Sequence, residues 1–407
     1  MAINCVARVL AGASTVALGL SLTQVAHAQG GAVPAGVTAE EYTGIVVSDG
    51  IDLDALPPGG AYDSTVDVTG VGQMVVHPDP SSFSVGLCTG TLINPRTVLF
   101  AAHCVNDIPA DSYGSASGGT PMSFGFSADN LPAVREWIGL GASTPYQTHE
   151  DLNIFNVEQV WYDTRSLATD FLEGDVALAT LDTHAGGVPT WTMLFSPLTE
   201  ETHAIINGYG GRGTGANGDT LGIDFRRRIA ENTISVLGSL EDRNDWLFGP
   251  GDYGLPQNLY MLDFDSPGGE ASFGVTTYDF DIFDGGALPA EGTTAGGDSG
   301  GPLIADEAFD IPVVVATLSG GSRFFAAQPF SSYGTHSFYQ PLFLFWESIV
   351  ANNSYAYASA LPGTANWMNP THWIQDMDPN YVIASGGVLE NALPGFAEPG
   401  ISGETPQ

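Results

Sequence analysis

From about Thr65 onward the chain alternates short apolar runs with turn residues. The runs "GQMVV", "TGTLI", "TVLFAA", "NVEQVWY" and "DVALATL" come first. After the Pro/Thr-rich "SPLTEETH" come "AIINGYG", "ENTISVLG", "NLYMLDF", "PLIA" and "PVVVATL". Short runs rich in β-branched and aromatic residues, bounded by Gly, Pro and Asn, read as strands. Two series of about six strands predict an all-β protein built from two antiparallel Greek-key β-barrels, at about residues 65–195 and 200–340. Helical periodicity is scarce. "PLFLFWESIVANN" (Pro341–Asn353) is the best helix candidate and would close the domain at residue 353. Residues 354–407 form a Pro/Gly-rich irregular tail that keeps Trp367 and Trp373 and is expected to pack. Residues 29–64 are rich in Gly, Pro, Ala and acidic side chains, a poor core that reads as a leader or pro-segment. No internal repeat is visible.

Composition agrees with a strand-and-turn protein: 52 Gly, 26 Pro and 43% hydrophobic residues in 407. The first 28 residues read as an export signal. Arg8 precedes the apolar "VLAGASTVALGLSL", and "AHA" (Ala26–Ala28) supplies small residues for cleavage. The apolar run falls short of the roughly 20 residues that span a bilayer. The expected location is therefore secreted, extracellular or periplasmic in a bacterium, without membrane insertion. Cleavage removes Cys5 and leaves Cys88 and Cys104, natural disulfide partners in an oxidising compartment. Closing that loop is worth about 3 kcal/mol.

The net charge of −36, with ten arginines and no lysine, repels nucleic acid and anionic lipid and excludes both as partners. "YDFDIFD" offers Asp279, Asp281 and Asp284 to calcium, but it lacks the glycine and downstream glutamate of a calcium loop. Its alternation reads as an exposed strand edge, so neither metal nor cofactor is expected.

Three motifs carry chemistry: "FAAHC" (Phe100–Cys104), "GDVALATLD" (Gly174–Asp182) and "AGGDSGGPL" (Ala295–Leu303). A serine hydroxyl needs a base, a carboxylate to hold that base, and donors for the developing oxyanion. "GDSGG" also satisfies the G-x-S-x-G elbow of α/β-hydrolases. That elbow requires a helix directly after the serine, whereas Gly300, Gly301 and Pro302 follow Ser299.

In the order and separation of these motifs the chain resembles the chymotrypsin-like, trypsin-family (S1-type) serine proteases. "INGYGGRGTG" resembles the glycine-rich turn that opens their second barrel. The resemblance covers roughly residues 65–353 and implies His103 as general base, Asp175 as the carboxylate orienting it, and Ser299 as nucleophile. It implies the N–H groups of Gly297 and Ser299 as oxyanion hole, and a Cys88–Cys104 disulfide pinning the histidine's strand. It also places the floor of the substrate pocket at Thr293 and Thr294, with a wall from Ser319, Gly320 and Gly321. That neutral pocket implies cleavage after apolar residues.

Two departures stand out. In classical members a cut after a basic residue frees an amine that pairs with the aspartate before the serine, here the structural carboxylate Asp298. No basic residue lies between Arg8 and Arg96. Asp298 is therefore expected to use an arginine (Arg226–Arg228, Arg212 or Arg323) or backbone donors; "RRR" reads equally as a solvated turn. The tail "ANWMNPTHW…DPNYVI" resembles the linker preceding the stalk of bacterial autotransporter serine proteases, so the chain reads as either a fragment or a freely secreted enzyme. The remaining histidines at 77, 149, 184 and 203 read as surface or loop residues. The expected activity is a monomeric serine endopeptidase acting on protein or peptide substrates. The alternative is a catalytically silent protease-fold binding or adhesion module.

Overall fold

The computed structural model describes residues 40–51 and 65–395, apart from positions 43, 83, 140–142, 170, 269–270, 274–275, 279, 284 and 376. The signal region, Cys5, Asp279 and Asp284 lie outside the described residues. The fold is all-β. The first barrel comprises β1 (Val71–Val76), β2 (Gly86–Asn94), β3 (Thr97–Phe100), β4 (Met122–Gly125), β5 (Ile154–Tyr162) and β6 (Ala177–Leu181). It closes in the order β1-β2-β3-β6-β5-β4, antiparallel throughout. Its interior is filled by Met74, Leu92, Phe100, Phe124, Phe155 and Leu181.

The second sheet is built from β7 (Thr202–Gly208), β8 (Arg228–Ile234), β9 (Val236–Ser239), β10 (Asn258–Asp263), β11 (Pro302–Ala305), β12 (Val313–Arg323) and β13 (His336–Pro341). Its path runs β8-β7-β11-β12-β13-β10-β9. The two ends of that path are separated only by Ser235, so β8 and β9 act as one bent strand and the sheet curls back on itself. With that strand counted once, the order repeats that of the first barrel. The repeat is absent from the sequence because a barrel interior demands apolar volume rather than particular residues.

A core cluster containing Val71, Leu99, Ile205, Ile304 and Val314 welds the barrels together. The C-terminal helix is shorter than expected, Trp346–Asn352, preceded by a 3-10 turn at Leu342–Leu344; Ile349 of the helix enters the same cluster. The tail divides in two. Trp367 is exposed, paired edge-on with Trp373. Tyr381–Ser385 pairs in parallel with Met193–Leu194 of the connection between barrels, and Tyr381 is buried.

Val46 and Val47, within the 29–64 segment, are fully buried. Two expectations fail here. "RRR" is no solvated turn, since Arg227 and Arg228 are each 2% exposed. Arg227 reaches the carbonyls of Val71 and Phe126 in the first barrel, and Arg228 forks onto Asp224. Finally, "YDFDIFD" is no exposed strand edge, because Phe280, Ile282 and Phe283 are buried in an aromatic cluster. Among the described residues no helix is long and apolar enough to cross a membrane.

Candidate active site

His103 lies in a single 3-10 turn, Ala102–Cys104, immediately after β3. Cys104 forms a disulfide with Cys88 of β2, tying this turn to the neighbouring strand. Asp175 precedes β6, which pairs with β3, so strand pairing delivers both residues to one end of the barrel. The Asp175 carboxylate is wholly buried and accepts twice from His103, from its backbone N–H at 2.7 Å and from Nδ1 at 2.8 Å. With Nδ1–H so engaged, Nε2 is the ring nitrogen whose lone pair can act as a base.

Ser299 comes from the second barrel, in the loop between the strand Gly292–Ala295 and β11. Its carbonyl accepts from Thr89 N–H (2.8 Å) and lies 4.0 Å from Cys104 Sγ, seating the loop against the histidine's turn. Gly297 and Gly300 hold the left-handed backbone this loop requires, with φ of 104° and 82°. A side chain at Gly300 would also begin 2.4 Å from Thr89 O. The N–H groups of Asp298, Gly300 and Gly301 are spent on the carbonyls of Ala295, Leu318 and Asp298. Those of Gly297 and Ser299 meet no acceptor among the described residues.

Asp298 is fully buried and its partners are backbone donors, the Gly210 N–H at 2.5 Å, within the "INGYGGRGTG" turn, and the Ala295 N–H at 3.4 Å. None of the arginines expected from sequence bonds to it directly, although Arg228 is near enough to favour its charged form. Burial outweighs both and holds this carboxyl well above the usual range. Gly208 and Gly210 have no room for side chains beside it.

The expected pocket residues are buried. Thr293 and Thr294 both bond the Ser337 hydroxyl, at 3.0 and 2.7 Å, and the Ser319 hydroxyl accepts from Gln340. Gly320 and Gly321 of β12 pair with Phe338 and Ser337 of β13. Ser337 was not legible from sequence, nor was Phe171. Phe171 stands edge-on to His103 (5.7 Å) and stacks on Phe338 (6.1 Å), making an apolar flank to the site. The signal available for Phe171 was an aromatic residue four positions before the candidate carboxylate.

Of the histidines set aside, His77 is buried rather than exposed, bonded to the Tyr146 hydroxyl and Ser82 O. His203 is clamped between Asp306 and Glu231, and its pKa rises to about 9, chiefly through the Asp306 bond. Asp281 clusters with Asp263 and Asp265, their oxygens within 4.8 Å of one another, in an arrangement chemically suited to a hard cation.

No family model and no curated protein matches the chain. Among solved structures it is similar to an HL collagenase, at 15% identity and a TM-score of 0.43. The match covers 70% of this chain and 94% of that one.

Proposed function

We propose that this chain is a secreted serine endopeptidase in which Ser299 attacks the peptide carbonyl, His103 Nε2 takes its proton, and Asp175 holds the imidazole. These roles follow the general pattern of Ser-His-Asp catalysis. The observation carrying the reading is the pair of N–H groups at Gly297 and Ser299 that meet no acceptor among the described residues, in a loop that spends those of Asp298, Gly300 and Gly301. Donors left open next to a serine can receive the oxyanion that forms as its hydroxyl adds to a carbonyl. Asp175, buried and twice bonded to His103, favours the Nδ1–H tautomer and steadies the imidazolium that follows proton transfer.

The substrate pocket is assigned to Thr293, Thr294 and Ser337, with the wall at Ser319, Gly320 and Gly321. Hydroxyls and glycines offer no countercharge to a buried guanidinium. Apolar side chains gain by burial, at about 25 cal/mol per Å², and Phe171 extends the apolar flank. The reading therefore favours cleavage after apolar residues by a monomeric enzyme that needs no cofactor. A fluorophosphonate probe separates this from a silent binding module: labelling at Ser299 supports the peptidase, and no labelling of well-folded protein refutes it.

A further inference from the structure

Both edges of β12 next to the assigned pocket are occupied. One edge pairs with β13, through Gly320↔Phe338, Gly321↔Ser337 and Ser322↔His336. On the opposite side, the chain's own residues Glu40–Tyr42 pair antiparallel with it, through Tyr42↔Gly321, Glu41↔Ser322 and Glu40↔Arg323. Two residues later the chain has crossed to the pocket floor. Gly44–Val47 pairs antiparallel with Gly292–Ala295, setting Val46 opposite Thr293 and Ile45 opposite Thr294. The segment thus joins the proposed pocket floor and wall by main-chain pairing.

Its two halves are held differently. Downstream, Val46 and Val47 are fully buried, Ser48 bonds Glu291 O through both its N–H and its hydroxyl, and Gly215 N–H donates to Val47 O. Upstream, three residues lie along a sheet edge. A strand edge accepts any extended peptide through backbone hydrogen bonds, so a peptide and the segment compete for the same groups.

We propose that Glu40–Tyr42 is a resident inhibitory strand on the substrate-binding edge, and that displacing it switches on hydrolysis of extended peptides. This rests on the peptidase reading above and adds regulation to that site. Each main-chain bond contributes modestly, but the short tether to the anchored Val46–Val47 gives the strand an effective concentration on the order of millimolar. A peptide substrate at micromolar concentration competes poorly against that. The segment before Gly44 can leave while Val46 and Val47 remain in the core.

The test uses the full exported chain and its Glu41→Pro and Tyr42→Pro variants, since proline removes a ladder donor and disfavours pairing. Hydrolysis of an extended peptide of at least six residues is compared with the rate of Ser299 labelling by a small fluorophosphonate. The small probe needs the reactive serine but not the strand edge. At least one proline variant should raise peptide kcat/KM by about tenfold, the change expected if the strand is docked about nine-tenths of the time. Labelling should stay within about twofold. A synthetic peptide of residues 36–44, added to that variant, should then inhibit competitively. Equal peptide hydrolysis in all three proteins, with all three labelled, overturns the inhibitory strand while leaving the peptidase reading intact. Absence of labelling in every protein removes the peptidase reading and this proposal with it.

Discussion

Replacing Asp265 with asparagine should stabilise the protein in a strongly pH-dependent way. Asp265 is 9% exposed, and its carboxyl is pushed up to about 7, first by burial and then by the neighbouring Asp281 charge. Asp263 rises through burial and then through the charges of Asp265 and Asp281. Glu291, bonded to the N–H groups of Asp265 and Leu288, is pushed up to about 8, chiefly by burial. A raised carboxyl binds its proton more tightly folded than unfolded, so stability falls as pH climbs from the ordinary aspartate value towards the folded value. The loss is absent below about pH 4 and complete above about pH 7. Moving one carboxyl from 3.8 to about 7 corresponds to about 4 kcal/mol. Partial solvent access brings the expected gain to about 2 kcal/mol. Urea unfolding of parent and Asp265→Asn at about pH 4.5, 6 and 8, with chelator present, should show near equality at the lowest pH and the full gain at the highest. A difference that stays constant with pH, or shrinks as pH rises, would refute this account of the cluster.

Ser299→Ala and His103→Ala should each abolish peptide hydrolysis in protein that still folds cooperatively; near-full turnover in either removes that residue from the mechanism. Cys88→Ser should cost about 3 kcal/mol in denaturant unfolding, and it should also lower activity because Cys104 adjoins His103. Gly300→Ala should disable the loop, since strain at positive φ adds about 1–2 kcal/mol to the clash with Thr89 O; unchanged activity would show that the loop can shift. Profiling against a mixed peptide library should give cleavage after apolar residues, and dominant cleavage after Arg that persists in high salt would contradict the pocket assignment.

The strands legible in sequence were those with aliphatic runs. One strand of each barrel escaped that reading. "MSFG" of β4 is four residues long between loops, and "HSFYQP" of β13 carries polar side chains although all six residues are buried. Two of its buried polar positions find partners distant in sequence: Ser337 bonds the threonines of the proposed pocket floor, and Gln340 bonds Ser319 and Gln257. Such long-range compensation leaves no local signature. The same holds for Arg227, whose flanking arginines suggested solvent although it bonds the carbonyls of Val71 and Phe126 in the other barrel. His103, Asp175 and Ser299 were legible as candidates because their flanking residues are themselves constrained, by a disulfide, a buried strand start and a glycine loop. Phe171 and Ser337 were not, because nothing next to them in the chain distinguishes them.

The first barrel occupies one uninterrupted stretch of chain, residues 71–181, and already contains His103 and Asp175. Ser299 belongs to the barrel that follows, and the Tyr381–Ser385 strand that braces the inter-barrel connection comes later still. A chain emerging from its N-terminus can therefore close the half that holds His103 and Asp175 as a unit before Ser299 has arrived. Under the proposed roles reactivity is then a late event in assembly: a partly emerged chain holds the proton acceptor before it holds the serine to be activated.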